Sequence, residues 1–275
     1  MLPRKHYLLA SDFDQTLSFN DSGLVLSELL GVSGYQERVG GLAHSNLIQQ
    51  GGELAYLIRH DPEFRGVRHD HLVAAGKQLR LKGAIPNLVK FLESGLEDCR
   101  FSFCVISAAP REIVISALTG IVAPENIYGT ELEFDPRSGE VRAIKHVPAG
   151  YGKVAVIEEL QHRLGVAADR VVYVGDGSSD VHVMLHVNNH DGFTIAVSNN
   201  RQLARIAKSI VISDNVFSVM VPVLDRVFGW RTGAIRELLE QNGLMLQAWD
   251  KTRTEHVQIG VAGAFVPTAA EAAAS

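Results

Sequence analysis

The chain has 275 residues, 46% of them hydrophobic, and 26 Lys and Arg against 31 Asp and Glu leave a net charge of −5. That is enough apolar material for a sizeable core, in one large domain or a domain with an insert. The acidic balance argues against a nucleic-acid partner held by a basic face, and no run approaches the ~20 apolar residues of a membrane span.

The N-terminal stretch MLPRKHYLLASDFD is basic, but its apolar part is too short for a secretory leader. A cytoplasmic protein is therefore expected. The first buried strand is predicted over Tyr7–Ala10, and it stops abruptly on Asp12-Phe13-Asp14-Gln15-Thr16. Residues 18–83 carry SGLVLSELLG, ERVGGLAHSNLIQQGGELAYLIRH and HDHLVAAGKQLRLKG, which read as several short helices. An insert of that length is expected to be a small helical module, not a loop. PNLVKFLESG opens on Pro86 and closes on Gly95, the punctuation of a helix. A second strand is predicted over Phe101–Ile106, with Cys99 just before it and Cys104 within it, the only cysteines, which read as reduced and core-adjacent.

Further along, IYGTELEFDPRSGEVRAI alternates about Asp135, Pro136, Ser138 and Gly139, as a β-hairpin would. GKVAVIEELQHRLG places Val154, Ile157, Leu160 and Leu164 at helical spacing. Strands follow over Val171–Val174 and Phe193–Val197, with a weaker one over Ser209–Ile212 and a helix, NNRQLARIA, starting on an Asn cap. Residues 214–248 read as apolar helices that pack on the sheet or form a dimer contact, packing being preferred. The last stretch, FVPTAAEAAAS, is low-complexity and expected to be disordered. Strands alternating with helices imply an α/β fold with a parallel sheet covered on both faces. Ligands of such sheets bind at the carboxyl ends of the strands.

Three of those ends carry polar signals. Asp12 and Asp14 alternate along an extended segment and point the same way. Two close carboxylates repel unless a cation sits nearby or one keeps a proton. Both remedies suit phosphoryl transfer: one acid attacks phosphorus beside a Mg²⁺ ion, the other moves a proton. The alternative is a pair of solvated acids at a strand end. In VVYVGDGSSDVHVML, Gly175 and Gly177 permit a tight turn that presents Asp176, with Asp180 at the start of a helix; oxygen ligands of this kind suit a hard cation, although a helix cap reads better in isolation and yields only beside the first motif. Ser107 ends the second strand. Its hydroxyl and the following backbone N–H groups, beginning at Ala108, suit a phosphate oxygen at a helix N-terminus. Lys153 sits in a first helical turn, where the helix dipole disfavours a cation. A reach toward an anion explains it better than a solvated lysine only in company with the other motifs.

In this order, Asp-x-Asp-x-Thr, Ser, Lys and Gly-Asp-Gly-x-x-Asp, the sequence resembles the haloacid dehalogenase-like (HAD) superfamily, and within it the phosphoserine phosphatase-like branch. The resemblance covers roughly residues 6 to 213, with the first and last motifs the most specific. It implies a Rossmann-like parallel sheet over 1–17 and 84–230, a helical cap inserted at 18–83, and a C-terminal helix and tail over 231–275. It implies that Asp12 is the nucleophile that becomes an aspartyl-phosphate. Asp14 is then the general acid/base, with its backbone carbonyl at the metal, and Thr16 supports the turn. Ser107 and Lys153 hold the phosphoryl oxygens, while Asp12, Asp14, Asp176 and Asp180 make the Mg²⁺ site.

The chain departs from that branch in three places. Ala108, Ala109 and Pro110 follow Ser107 where glycines are usual, and Ser179 stands in place of Asn. Asp21 is the nearest acid to the Glu that holds a substrate amine, with Glu28 a helical stretch later. Phosphatase chemistry survives these changes, but specificity for serine does not follow. Of the cap cations Arg59, Arg65, Arg68, Lys77, Arg80 and Lys82, Arg59 is singled out for an anionic group of the substrate. His182 and His186 share a helix face and read as a solvated pair, with Val181, Met184 and Leu185 facing inward. The expectation is a Mg²⁺-dependent phosphatase acting on a small phosphorylated substrate, with no nucleic-acid or membrane partner and with a homodimer open. The alternatives are a phosphotransferase or mutase on the same scaffold, or a non-catalytic phosphate-binding module.

Overall fold

The computed structural model describes residues 5–45, 48–198, 200–249 and 257–261. Strand β1 (Lys5–Ser11) takes the centre of a seven-stranded sheet because it is apolar on both faces, with Leu8, Leu9 and Ala10 fully buried. The insert follows as α1 (Ser22–Leu30), α2 (Tyr35–Ser45), α3 (Glu53–His60) and α4 (His69–Gln78). The chain then forms α5 (Ile85–Ser94), β2 (Cys99–Pro110), α6 (Arg111–Ala117), β3 (Ile127–Phe134), β4 (Val141–His146) and α7 (Tyr151–Leu164). It continues through β5 (Val171–Gly175), α8 (Val181–Asn189), β6 (Phe193–Ala196), α9 (Leu203–Ile206) and β7 (Ser209–Ile210).

The sheet order is β4-β3-β2-β1-β5-β6-β7, parallel throughout except for β4, which pairs antiparallel with β3 at the edge. The predicted hairpin is thus an extension of the main sheet. The chain leaves β1 toward β2 on one side and returns to β5 on the other, so the crevice beside β1 is a topological switch point. Side chains alternate across the sheet with the period of two that strands impose. Leu8, Ala10, Cys104, Ile106, Val171 and Tyr173 pack with α7 and α8. Leu9, Phe103, Val105, Val172 and Val174 join the opposite core, which also takes in the inserted helices through Leu26, Leu54, Phe64 and Leu72.

The insert is fastened to the sheet at several points. Its two linkers run side by side, with Phe19 N–H bonded to Arg80 C=O and Lys82 N–H to Leu17 C=O, both at 2.8 Å. The Ser116 hydroxyl of α6 donates to Val73 C=O of α4 at 2.7 Å, and Val141 N–H at the start of β4 donates to Val67 C=O at 3.1 Å.

Several expectations are corrected. Strand β2 does not stop at Ile106 but runs to Pro110, with a register irregularity between these two residues, so no helix begins at Ser107. Pro110 holds the preceding backbone extended and delays α6 to Arg111. Residues 214–248 are not two apolar helices. Short helical segments at Val216–Val219, Met220–Pro222 and Val223–Val227 precede a helix at Thr232–Gln241. That helix ends at Asn242 and at Gly243, whose φ is +71°, and the chain reverses into β8 (Leu244–Trp249), paired antiparallel with β9 (Val257–Val261). Leu244 and Leu246 sit in the core. On α8 the inward face is Val183, Met184 and Val187, and Leu185 is 44% exposed, because residues i, i+1 and i+4 share a face and i+2 does not. His182 is not solvated freely: its ring lies 4.2 Å from that of Tyr151, and its Nδ1 is buried without a hydrogen-bond partner. The low-complexity tail at 265–275 lies outside the described residues. No described helix is long and apolar enough to cross a membrane.

Candidate active site

The carboxyl ends of β1, β2 and β5 converge under the inserted helices around a cleft of about 290 Å³. Asp12 follows the last residue of β1, and its backbone N–H donates to Val174 C=O of β5 at 2.8 Å, which pins the two strand ends together. Its carboxylate is 5% exposed and meets the Lys153 ammonium at 2.8 Å. After Asp12 the chain turns tightly over Phe13 C=O, which accepts the N–H groups of Thr16, Leu17 and Ser18. Gln15 takes φ +55° to complete the turn, and the Lys82 ammonium donates to its carbonyl at 2.7 Å. Thr16 contributes its backbone; its hydroxyl oxygen is buried without a partner.

Lys153 is fully buried and bridges two acids, with Asp180 Oδ1 at 2.7 Å on its other side. Burial opposes its charge, yet the two carboxylates outweigh burial and raise its pKa above the ordinary lysine value. The solvated-lysine reading is therefore excluded by position. Asp180 accepts four bonds: Lys153 Nζ and the Tyr173 hydroxyl on Oδ1, and the N–H groups of Asp176 and Gly177 on Oδ2. It thereby shapes the turn that carries Asp176. A glycine is needed at 175, since a Cβ there would lie 2.4 Å from the Asp180 carboxyl.

Asp176 faces the cleft while Asp180 lies behind it, and Asp12, Asp176 and Asp180 offer carboxylate oxygens within 4.8 Å of one another. Burial, then the neighbouring Asp12 and Asp180, push Asp176 up to about 8; burial raises Asp12 to about 6 against the pull of Lys153. Crowded, desolvated carboxylates of this kind fit a divalent cation, which relieves both causes at once. Asp14 is held differently. Its two oxygens accept the Ser22 N–H at 3.0 Å and the Ser22 hydroxyl at 2.7 Å. Burial first, then Asp21, raise its pKa well above the usual carboxylate range despite those bonds. One acid of the pair thus sits beside a cation and the other leans toward its protonated form, the division of labour an acid/base pair needs.

Ser107 is buried at the cleft wall, and its hydroxyl accepts the Ala109 N–H at 3.1 Å. Ala108 lines the cleft beside it, its carbonyl taken by the Thr130 hydroxyl at 2.6 Å. Asp21 caps α1 through Leu24 N–H at 2.9 Å and also lines the cleft. Arg59 is not brought to the site: it lies on the exposed side of α3, away from the cleft lining.

The structure adds residues that sequence reading passed over. Ser22, Tyr35 and Glu53 line the cleft from the insert, and Tyr173 supports Asp180 from below. Ser22 had a signal, as the first N–H after a capping Asp is free to meet an acceptor. Tyr173 had none within its apolar strand.

A model of the haloacid dehalogenase-like hydrolases matches residues 9–185. No curated protein matches the chain. Among solved structures, a phospho-aspartyl intermediate analogue of phosphoserine phosphatase aligns with a TM-score of 0.64 and 16% identity, over 78% of this chain and 98% of its own. A substrate-bound phosphoserine phosphatase gives 0.63 and 16%, over 78% and 97%. A phosphoserine phosphohydrolase-like protein from Francisella tularensis gives 0.59 and 17%, over 78% and 98%. At these identities the structures speak for a shared fold. The family match spans the β1, β2 and β5 strand ends and the turn that presents Asp176, and on it the chain belongs to the haloacid dehalogenase-like hydrolases.

Proposed function

We propose that this protein is a Mg²⁺-dependent phosphatase that hydrolyses a small phosphomonoester through an aspartyl-phosphate on Asp12. The observation that carries the reading is the contrast between Asp12, paired with buried Lys153, and Asp14, which has no cation beside it among the described residues and whose two oxygens accept the Ser22 N–H and hydroxyl, with burial and Asp21 raising its pKa.

An oxygen of Asp12 attacks phosphorus, and the bond to the alcohol oxygen breaks as the new P–O bond forms. Asp14 delivers its proton to the leaving oxygen. Water then attacks the phosphoryl group, Asp14 takes the proton from that water, and the Asp12 carboxylate is released with inorganic phosphate. Lys153 neutralises Asp12 throughout, and Ser107 holds a phosphoryl oxygen at the wall. Asp12, Asp176 and the Asp14 carbonyl would hold a Mg²⁺ ion, which would supply charge neutralisation for the phosphoryl oxygens. Asp180, with all four of its bonds made inside the protein, acts through the position of Asp176. The two buried free cysteines fit a reducing, cytoplasmic setting.

The test is phosphate release from a panel of phosphomonoesters with Mg²⁺ and with EDTA. Turnover that needs the metal, together with an acid-stable, base-labile phosphoenzyme, is expected. A folded protein that releases no phosphate from any ester would overturn the reading.

A further inference from the structure

The strand ends form the floor of the cleft and the insert forms its roof, and the two meet at the turn that follows Asp14. Gln15 takes φ +55° there, a left-handed conformation that a residue with a Cβ disfavours. It is held in that conformation from both sides. Its N–H donates to the Ser18 hydroxyl at 3.3 Å, and its carbonyl accepts the Lys82 ammonium at 2.7 Å. Asp14 therefore has its carboxylate on Ser22 of α1 and its backbone on this turn, and both anchors set where its carboxyl points.

Lys82 is itself pinned. It lies on the linker by which the insert rejoins the sheet, and its N–H donates to Leu17 C=O at 2.8 Å. On the next residue, Gly83 N–H donates to Asp214 C=O and Gly83 C=O accepts Val216 N–H, both at 2.9 Å. The side chain thus reaches the Gln15 carbonyl from a fixed base. Burial lowers its pKa, while Asp176 and then Asp214 raise it. An apolar side chain of the same length would fill the space beside Leu88, Val174 and Val216 without desolvating a charge. What the ammonium adds is the bond to the Gln15 carbonyl. Resting on the phosphatase reading above, we propose that Lys82 is a positioning residue of the phosphoryl transfer: by holding the Gln15 carbonyl it fixes the turn from which Asp14 hands its proton to the leaving oxygen. The linker of the insert and the proton donor then move as one unit.

The experiment separates positioning from folding by the leaving group. An alkoxide needs a proton as it departs, whereas p-nitrophenolate leaves without one. kcat/KM of the full-length enzyme is measured at saturating Mg²⁺ for p-nitrophenyl phosphate and for glycerol 3-phosphate, in the wild type, Lys82→Met and Lys82→Arg. Lys82→Met keeps the stem and removes the donor, and its kcat/KM for glycerol 3-phosphate should fall about tenfold or more, with p-nitrophenyl phosphate changed by less than about threefold. Lys82→Arg keeps a cationic donor and should restore glycerol 3-phosphate to within about threefold of the wild type. Equal losses on both esters, tracking a fall in Tm, make Lys82 a structural residue and overturn the inference. So does an unchanged ratio with no loss on either ester. Lys82→Gln replaces Lys82→Met where the latter does not fold, and failure of both neutral variants to fold also makes the lysine structural. A folded wild type inactive on both esters overturns the phosphatase reading itself, before any variant is compared.

Discussion

The floor and the roof of the cleft are both acidic, yet they treat their acids in opposite ways. On the floor, Asp12 and Asp180 share the buried Lys153, and Asp180 accepts four bonds from the protein. On the roof, Glu53 accepts a single bond from its own loop, and no ion pair reaches Asp21 or Glu53 among the described residues. A site whose polar groups are satisfied internally is rigid and fixed in what it does. A site whose charges await a partner is open to what it binds. On the phosphatase reading proposed above, the floor is the part that carries the reaction.

The largest effect that would break this comparison lies at Asp12. Asp12→Asn removes the nucleophile while keeping the shape, and turnover should fall by about three orders of magnitude or more. Circular dichroism and Mg²⁺-free unfolding should show an intact fold. Residual activity near that of the wild type would assign the attack to another group. Next comes Lys153→Met, which leaves Asp12 and Asp180 buried without their common cation. A loss of about 3–5 kcal/mol is expected, read by urea unfolding. A loss below about 1 kcal/mol would mean that the floor is hydrated and far looser than its bonds imply.

Metal addition sharpens the same contrast through pH. Asp176 and Asp12 are raised to about 8 and about 6 from an ordinary 3.8, so the folded chain binds their protons more tightly than the unfolded chain does. Stability of the metal-free protein then falls as pH rises from about 4 toward 8. Mg²⁺ binds the ionised forms and offsets that loss. Its gain in Tm should be clearly larger at pH 8 than at pH 5, by several degrees at millimolar ion. Equal gains at both would place the ion away from these carboxylates.

The floor was legible in the sequence and the roof only at Asp21, for a physical reason. Asp12, Ser107 and Asp176 follow apolar runs that must be buried strands, so a parallel sheet brings them to one edge whatever the loops do. Lys153 was readable because a cation in a first helical turn asks for an explanation. Glu53 and Tyr35 reach the cleft only through how four short helices fold over the sheet, and Arg59, roughly one and two-thirds turns along α3 from Glu53, is turned outward by the same helix. Helical spacing says which residues share a face, not which face meets the cleft. The strand β8 was missed because LMLQAW continues an apolar stretch whose period is ambiguous until Gly243 is seen to reverse the chain.

The smallest effect tests the join between floor and roof, where Ser22 of α1 grips Asp14. Ser22→Ala removes the 2.7 Å hydroxyl bond and leaves the N–H bond at 3.0 Å. Both bonds favour the ionised form of Asp14, so losing one raises a pKa that burial and Asp21 already hold high. The first step needs Asp14 protonated, so the alkaline limb of kcat/KM should move to higher pH. Dephosphorylation needs it ionised, so kcat at neutral pH should fall severalfold with phosphoenzyme accumulating. A merely structural role would lower activity evenly across pH, with a loss of about 1 kcal/mol in stability and no movement of the limb.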